Sequence, residues 1–394
     1  MIWDQWWYAL LIGALFFALG WIAGRIDLRA VTRAASQLPR AYLTGLNHLL
    51  HGRRDQALEA LLAAAELHPG PVELQLALAA LMRERGEYER ALAIHRALAA
   101  RSDLTAQQRD EVIAELALDY HRAGFLDRAE AAYRQMLGGP RDGWARAALV
   151  AILQTERDWN QCLALLQAAP EALPHAQLLQ MHLHCELAQE AISREDWATV
   201  AHHWRAACAA GGSQTLRTLL VEGEWRLATR DDAKVRSVWE RIERLHPDGL
   251  ALVLDKWLSA LPVEQWPTVL PVVRRWFQRF PQIDAWAWYV DVELQCGSAD
   301  EAFRRLQEAM RVSPDLMVLD AYLRLVVWMV PEGWRVEVDR VRSLVHGYVE
   351  RLARYHCQKC GFKAKQHHWR CPACGEWGTF PPRRTVAFEG SRAQ

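Results

Sequence analysis

The sequence predicts an all-α protein in which most of the chain folds as repeated helix pairs. Three observations predict this fold class. A turn followed by a small residue and a later proline recurs at a spacing near 34 residues. A stretch without charged residues lies near the N-terminus, and two Cys-x-x-Cys pairs lie close together near the C-terminus. These features predict helical repeats flanked by one apolar helix and by one small metal-bound domain, which we call the knot.

The charge balance and composition are typical of a folded helical protein. The 394 residues include 47 basic and 47 acidic side chains, so the formal net charge is zero. A nucleic-acid-binding protein usually carries a basic excess, and the balance therefore argues against that class. Only 22 residues are glycine and 51% are hydrophobic, which favours helices with a buried face.

The first element is the uncharged stretch from Trp6 to Gly24. At 1.5 Å per residue, it reaches about 28 Å, close to the thickness of a bilayer core. Basic residues follow it and none precedes it, so the positive-inside rule places the rest of the chain in the cytoplasm. A cleaved signal peptide is the alternative, but it requires a basic start, where this chain carries only Asp4. We therefore predict an uncleaved transmembrane anchor at 1–25 and a basic juxtamembrane linker at 26–37.

The second element is the repeat, predicted to span 38–353. In Gly52–Ala57, Gly86–Ala91 and Gly124–Ala129, a helix-breaking glycine and a polar turn precede a small residue that is expected to open the next helix. The same frame continues in weaker form, in steps of 33 to 38 residues, at Ala57, Ala91, Ala129, Cys162, Val200, Val235, Val269 and Ala302. This period is typical of tetratricopeptide repeats, whose stacked helix pairs form a superhelix with a concave groove. We expect the helical stretch from Leu316 to Leu352 to cap the stack.

Several other features of the repeats are interpreted as structural. The apolar run Val326–Val330 is too short to cross a membrane and is predicted to be buried helix. Two groups of potential metal ligands are interpreted as ordinary residues of packed helices: His182, His184 and Cys185, then His202, His203 and Cys208. The cysteines outside the knot are interpreted as small buried residues: Cys162, Cys185, Cys208 and Cys296.

Motifs of nucleotide-binding and hydrolytic enzymes are missing from the repeat sequence. We therefore predict no catalytic residue and no organic cofactor, and we expect that the protein is not an enzyme.

The last folded element is a knot predicted at 354–382, followed by a disordered tail at 383–394. Two Cys-x-x-Cys-Gly turns bring four thiols to one point, at Cys357, Cys360, Cys371 and Cys374. Four thiolates in a tetrahedron suit one zinc ion, or one iron ion in a rubredoxin-type site. Metal binding would stabilise a segment too short to fold through its core alone. A redox dithiol or disulfide pair is the alternative.

The neighbours of the four cysteines are expected to support the metal site. Four sulfurs leave no open coordination position, so the metal is predicted to be structural. His356, His367 and His368 are therefore interpreted as solvated or supporting residues, not as ligands. Trp369 and Trp377 are expected to pack over the knot and to limit its access to water.

The order of these parts resembles the lipopolysaccharide assembly protein B family of Gram-negative bacteria. The resemblance covers the whole chain and is strongest at Tyr42–Asn47, Arg83–His95, Asp119–Tyr133, Cys357–Phe362 and Trp369–Cys374. It implies a single-pass protein of the bacterial cell inner membrane with most of the chain in the cytoplasm. It also implies that the four knot cysteines hold the metal.

The resemblance further implies a regulator of lipopolysaccharide biosynthesis. Such a protein is expected to act as an adaptor for FtsH, a membrane-anchored AAA+ protease. Its client would be the UDP-3-O-acyl-N-acetylglucosamine deacetylase that commits carbon to lipid A. Other lipopolysaccharide assembly proteins are further expected partners, and self-association is left open. The residues also leave two alternatives: a rubredoxin-like electron-transfer protein, and a general envelope-assembly scaffold without a proteolytic role.

Overall fold

The computed structural model describes most of the predicted repeat region and knot. It describes residues 14–18, 21, 40–67, 71–171, 173–254, 261–280, 283, 285–312, 314–352 and 354–382. The predicted anchor at 1–25 lies outside the described residues except for 14–18 and Trp21, which are helical. The predicted linker at 26–37 and tail at 383–394 lie outside them entirely. In the described part of the chain, no helix is both long and apolar enough to cross a bilayer.

The described body is almost entirely helical. Its labelled helices are α1 (Arg40–Leu50), α2 (Arg54–Leu67), α3 (Val72–Glu84), α4 (Tyr88–Ala99), α5 (Ala106–Arg122), α6 (Leu126–Gln135), α7 (Asp142–Glu156), α8 (Trp159–Ala168), α9 (Ala176–Ser193), α10 (Trp197–Ala207), α11 (Leu216–Ala228), α12 (Asp232–Leu245), α13 (Trp266–Arg279), α14 (Trp286–Cys296), α15 (Ala299–Val312), α16 (Leu316–Met329) and α17 (Glu332–Val349). Residues 250–254 are also helical. Helices that follow one another pack together in pairs, as tetratricopeptide-like repeats require.

The predicted repeat frame falls on the second helix of each pair. Ala57 lies in α2, Ala91 in α4 and Ala129 in α6, each three residues after the helix begins. The small residue therefore does not open the helix, as the sequence suggested, but lies almost one turn inside it. Seven of the eight frame positions are at most 3% exposed, and Val269 is partly buried. A small side chain at this point lets the two helices of a pair approach closely.

The turns before these helices share one backbone conformation. Gly52, Gly86 and Gly124 have positive φ angles of 71°, 80° and 82°. At the equivalent place in the next three pairs the positive φ belongs to residues with a side chain, which are Arg157, Glu195 and Arg230. This conformation is unfavourable for L-residues by about 1–2 kcal/mol. In these three pairs, the loss of the glycine is therefore a change of residue within a retained turn.

The predicted final stretch, Leu316 to Leu352, is divided into two helices. α16 ends at Met329, and α17 begins after Pro331. Proline disfavours the helical conformation in the residue before it, so one helix does not run through this point. The interpretation of Val326–Val330 as buried helix is wrong: Val330 lies beyond α16, and the two preceding valines are only partly buried. The departure is largest at Trp328 and Met329, which are 57% and 38% exposed. They lie at the end of α16, where there is no following turn to cover them.

The chain divides into two compact units, Met1–Ile152 and Leu153–Gln394. In the first unit, described core clusters are local, such as the one formed by Leu61, Leu78, Ala79, Leu81, Met82 and Ala91. In the second unit, one cluster begins at Leu216 and extends through the later helices to Phe380. That cluster includes two of the four knot cysteines among its buried residues, so the knot belongs to the helical core.

Candidate metal centre

The first half of the site is a short β-hairpin that begins the knot. Strand β1 (Tyr355–His356) pairs antiparallel with β2 (Lys363–Ala364). In the turn between them, the Cys357 N–H donates to the Phe362 carbonyl at 2.8 Å. The Gly361 N–H donates to the Cys357 carbonyl at 2.9 Å. These two bonds fold the backbone tightly around the first cysteine pair.

The second cysteine pair repeats this geometry. The Cys371 N–H donates to the Glu376 carbonyl at 2.8 Å, and the Gly375 N–H donates to the Cys371 carbonyl at 2.9 Å. Gly361 and Gly375 have φ angles of 75° and 73°, a conformation that glycine adopts without a steric penalty. The glycine after each Cys-x-x-Cys is thus required by the turn that aims the two sulfurs.

The two turns bring the four sulfurs together. All lie within 4.8 Å of one another. The Cys357 and Cys374 sulfurs are 3.8 Å apart, and those of Cys360 and Cys371 are 3.7 Å apart. A tetrahedron with metal–sulfur bonds of about 2.3 Å has sulfur–sulfur edges of about 3.8 Å. The donor set therefore fits one metal ion, and iron and zinc are both compatible with four thiolates.

Without a cation, the thiols influence one another unequally. Desolvation acts to raise the pKa of Cys357, but hydrogen bonds from the Thr379 hydroxyl and from backbone N–H groups outweigh it and lower the pKa to about 6. A backbone N–H acts to lower the pKa of Cys360, but desolvation and the other cysteines raise it to about 12. One thiolate thus forms easily while a neighbour resists ionisation. A bound cation favours all four thiolates, because its charge offsets their mutual repulsion.

The knot is held against helices far away in the sequence. The Trp377 indole N–H donates to the Gln154 side-chain oxygen at 2.7 Å. The Arg370 guanidinium donates to the Gln154 backbone carbonyl at 2.9 Å. Gln154 is buried in the last turn of α7, more than 200 residues before its partners. The side-chain oxygen and the backbone carbonyl of Gln154 therefore each accept a hydrogen bond from the knot.

Arg217 forms the centre of a second contact between the knot and the repeats. It is 2% exposed, and its guanidinium carbon lies 5.0 Å from the Trp377 ring and 5.3 Å from the Trp369 ring. It donates to Nδ1 of His182 at 2.7 Å and also pairs with Glu186. Cation–π attraction is strongest where the cation is desolvated, as it is here. Trp369 and Trp377 thus pack between the knot and the helices.

His182 is neutral in this contact. Its ring stacks on Trp377 with centroids 4.9 Å apart and 17° between the ring planes. Burial, and then the charge of Arg217, lowers the pKa of His182 to about 3. A neutral Nδ1 can accept the hydrogen bond that Arg217 donates. The sequence motifs did not predict a role for Gln154 or Arg217, because neither residue is part of a motif with a characteristic spacing.

The other potential ligands stay apart from the metal centre. His184 and His203 lie with their Nδ1 atoms 3.1 Å apart, but among the described residues the cysteines form the one group of three or more potential ligands. In the knot, His367 Nε2 lies 3.1 Å from the Phe380 carbonyl, so it supports the fold. Of the cysteines outside the knot, Cys162 and Cys185 are buried, while Cys208 and Cys296 are only partly so.

Fold and site together define a helical-repeat protein with a four-cysteine metal knot packed into its core. Residues 355–382 match the family model described as the rubredoxin metal binding domain. The chain is similar to lipopolysaccharide assembly protein B of Escherichia coli strain K12, with 27% identity over 376 residues, 93% of this chain and 95% of the relative. The protein of that name from Haemophilus influenzae is 22% identical over 399 residues, again covering 93% and 95%. The resemblance that the sequence motifs suggested is confirmed.

Solved helical-repeat structures also overlap with parts of the chain. The TPR2AB domain of yeast Sti1 gives a TM-score of 0.30 at 14% identity, covering 79% of this chain and 99% of that one. PilF of Pseudomonas aeruginosa gives a TM-score of 0.29 at 16% identity, covering 53% of this chain and 91% of that one.

Proposed function

We propose that this protein takes part in lipopolysaccharide assembly as a non-catalytic adaptor at the inner membrane. In this proposal it presents the lipid A-committing deacetylase to the protease FtsH, and so sets how much lipopolysaccharide is made. The observation that carries the proposal is the similarity to lipopolysaccharide assembly protein B over 93% of the chain. Stacked helix pairs suit this role, because they offer extended surfaces for other proteins.

The predicted anchor at 1–25 has a physical part in the proposal. A tethered adaptor diffuses in the plane of the membrane together with its partners, so each contact acts at a raised effective concentration. Weak contacts with FtsH, with the deacetylase and with other lipopolysaccharide assembly proteins then become effective. The metal knot contributes within the second unit, where it contacts Gln154, His182 and Arg217 and so holds these three residues together.

Depletion of the protein in its native host tests the proposal. We expect the half-life of the deacetylase to lengthen and the amount of lipopolysaccharide to rise, because the client no longer reaches the protease. A pulse-chase experiment measures the half-life. The wild-type chain and Cys296→Ser, which alters a cysteine outside the knot, should restore turnover, whereas Cys371→Ser should not. An unchanged half-life on depletion would refute the adaptor role.

The same experiment separates the adaptor from a general assembly scaffold. A scaffold without a proteolytic role would change lipopolysaccharide output while deacetylase turnover stayed constant. Pull-down of the anchored chain from membranes adds a second measurement, since enrichment of FtsH favours the adaptor.

Electron transfer is the second candidate function, and the exposure of Cys360 favours it. An exposed edge of a four-sulfur iron site allows a redox partner to approach the metal. Replacing iron with zinc keeps the knot folded but removes its redox activity, because zinc has a single accessible oxidation state. Full complementation by the zinc form would exclude electron transfer, and loss of complementation with an intact fold would support it.

A further inference from the structure

A surface groove in the first unit lies between α4, α5 and α6. Its volume is about 400 Å³, and its floor is apolar, formed in part by Ile113, Leu116 and Ala132. Arg109 and Arg128 line it together with Tyr120, and no carboxylate is among the residues that line it. The groove therefore combines an apolar floor with positive charge at its edges.

Neutral groups hold in place the two arginines that line this groove, and also Arg96, which lies beside it against Tyr120. Arg96 donates through Nε to the Tyr120 hydroxyl at 3.1 Å, and Arg128 lies over the rings of Tyr120 and Phe125 at 5.9 Å and 5.5 Å. Arg109 donates to the Arg101 carbonyl at 3.3 Å. Within the described part of the chain, Arg96, Arg109 and Arg128 have no carboxylate at ion-pair distance. Their charges are positioned but not neutralised.

Two grooves of the second unit show the opposite arrangement. One is lined by Arg279 and by Glu243, which lie 3.5 Å apart. The other is lined by Arg324 and Asp291, 2.7 Å apart, and also contains the Arg342–Asp339 pair at 2.8 Å. Arg279, Arg324 and Arg342 are thus each paired with a carboxylate that lines the same groove. The groove in the first unit differs because its matching carboxylates must come from another molecule.

The spacing of the arginines indicates the shape of that molecule. Arg96 and Arg128 flank Tyr120, which lies eleven residues after Arg109 on α5, or about 16 Å along the helix axis. An extended peptide rises about 3.3 Å per residue and covers this distance in about five residues. One terminal carboxylate cannot meet both ends of the groove. Two acidic side chains about four to six residues apart can do so while small apolar residues between them contact the floor.

We propose that the α4–α6 groove binds an extended acidic segment of a partner protein, with carboxylates at both ends and small apolar residues between them. Arg109 pairs with one end, and Arg96 and Arg128 pair with the other. The inference does not depend on the adaptor role, because a protein of any cellular role could use such a groove.

Fluorescence anisotropy with the full chain tests this proposal. The probe is a labelled peptide of about ten residues, blocked at both termini, with two glutamate pairs separated by alanine and leucine. Arg109→Gln and Arg128→Gln should each weaken binding about tenfold, and added salt should weaken binding to the wild type. The exposed sites of these changes favour an intact fold, which circular dichroism checks. The controls are Arg134→Gln and Arg90→Gln, whose arginines pair with Glu130 and Glu87, four and three residues before them; they should bind as the wild type does.

Two further probes define the outcomes. A peptide with glutamine in place of glutamate should bind at least about tenfold more weakly, because it lacks the charges that the arginines require. Equal binding of this peptide, or equal loss in the control variants, would overturn the proposal. Vesicles containing phosphatidylglycerol form the second probe. If they bind through Arg109 and Arg128 while the acidic peptide does not, the occupant is a lipid surface and the proposal is wrong.

Discussion

In the first unit, the turns before α4 and α6 contain glycine in the left-handed conformation, and Glu87 and Phe125, which directly precede these helices, make no side-chain cap. In the second unit, the same turn before α8 contains Arg157, and Asp158 caps the helix. The Gln161 N–H donates to the Asp158 carboxylate at 3.0 Å. A cap of this kind is worth about 1 kcal/mol, similar to the cost of the strained residue before it. The same turn geometry therefore forms in two ways. In the first unit glycine adopts it without strain, and in the second unit the Asp158 cap offsets the cost of placing Arg157 there.

The two units also differ in how far their contacts reach along the chain. The described clusters of the first unit join neighbouring helices, as in a stack stabilised by adjacent repeats. The second unit contains bonds between residues 216 and 223 positions apart, all made by the knot. The first unit should therefore depend only on local packing, whereas the second depends on a metal site at the far end of the sequence.

The largest expected effect is loss of the metal, by chelation or by Cys371→Ser. We expect the second unit to lose more than about 3 kcal/mol of stability, because metal ligation supplies much of the folding free energy of such small knots. Hydrogen exchange should accelerate in α9 and α11 and stay nearly constant in α3 to α6. The matched control is Cys296→Ser. Equal acceleration in both units would show that the comparison is wrong.

The next effect concerns the buried arginine that lies against the knot. Arg217→Ala should cost about 3 kcal/mol, since it removes a desolvated cation from two indole rings and leaves His182 without its donor. Arg194→Ala is the control, because Arg194 is 75% exposed and its pair with Glu190 spans 3.8 Å. Denaturant unfolding followed by tryptophan fluorescence measures both variants. A loss below about 1 kcal/mol for Arg217→Ala would mean that this contact contributes little.

A pH effect of intermediate size should arise from His182 in the second unit. The pKa of His182 is lowered from 6.5 to about 3 in the folded state, so the unfolded chain binds its proton more readily. Stability is therefore lost as the pH falls below about 6.5, by about 2 kcal/mol at pH 5. His182→Gln should remove this part of the pH dependence while the rest remains. Parallel pH profiles for the two proteins would exclude a role for His182.

The smallest effect tests the difference between the turns. Asp158→Ala should destabilise the second unit by about 1 kcal/mol, because it removes the cap of α8. Glu87→Ala at the equivalent position of α4 should change stability by less than about 0.5 kcal/mol, since Glu87 makes no cap there. Thermal unfolding measures both. A similar loss in the two variants would mean that Glu87 and Asp158 act alike.

Much of the fold and of the metal site could be predicted because the signals are local. Ala91 and Ala129 mark their helix pairs through a repeated spacing, and Cys357 and Cys360 share one tight turn. The break between α16 and α17 could also have been predicted from the sequence, because Pro331 marks it. The exposure of Trp328 was not, because an apolar residue at the end of a helix is buried only if another element covers it.

The sequence alone determined the helix pairs, their frame and the four thiols, since each depends on residues within one turn or one repeat. Tertiary structure decided that Trp377 meets Gln154 and that Arg217 lies between two indoles. It also decided that Arg109 and Arg128 share a groove without a carboxylate. Such pairings join residues from separate helices or distant repeats. A polar side chain does not specify its distant partner through its neighbours in sequence, and only packing of the whole unit brings the two together.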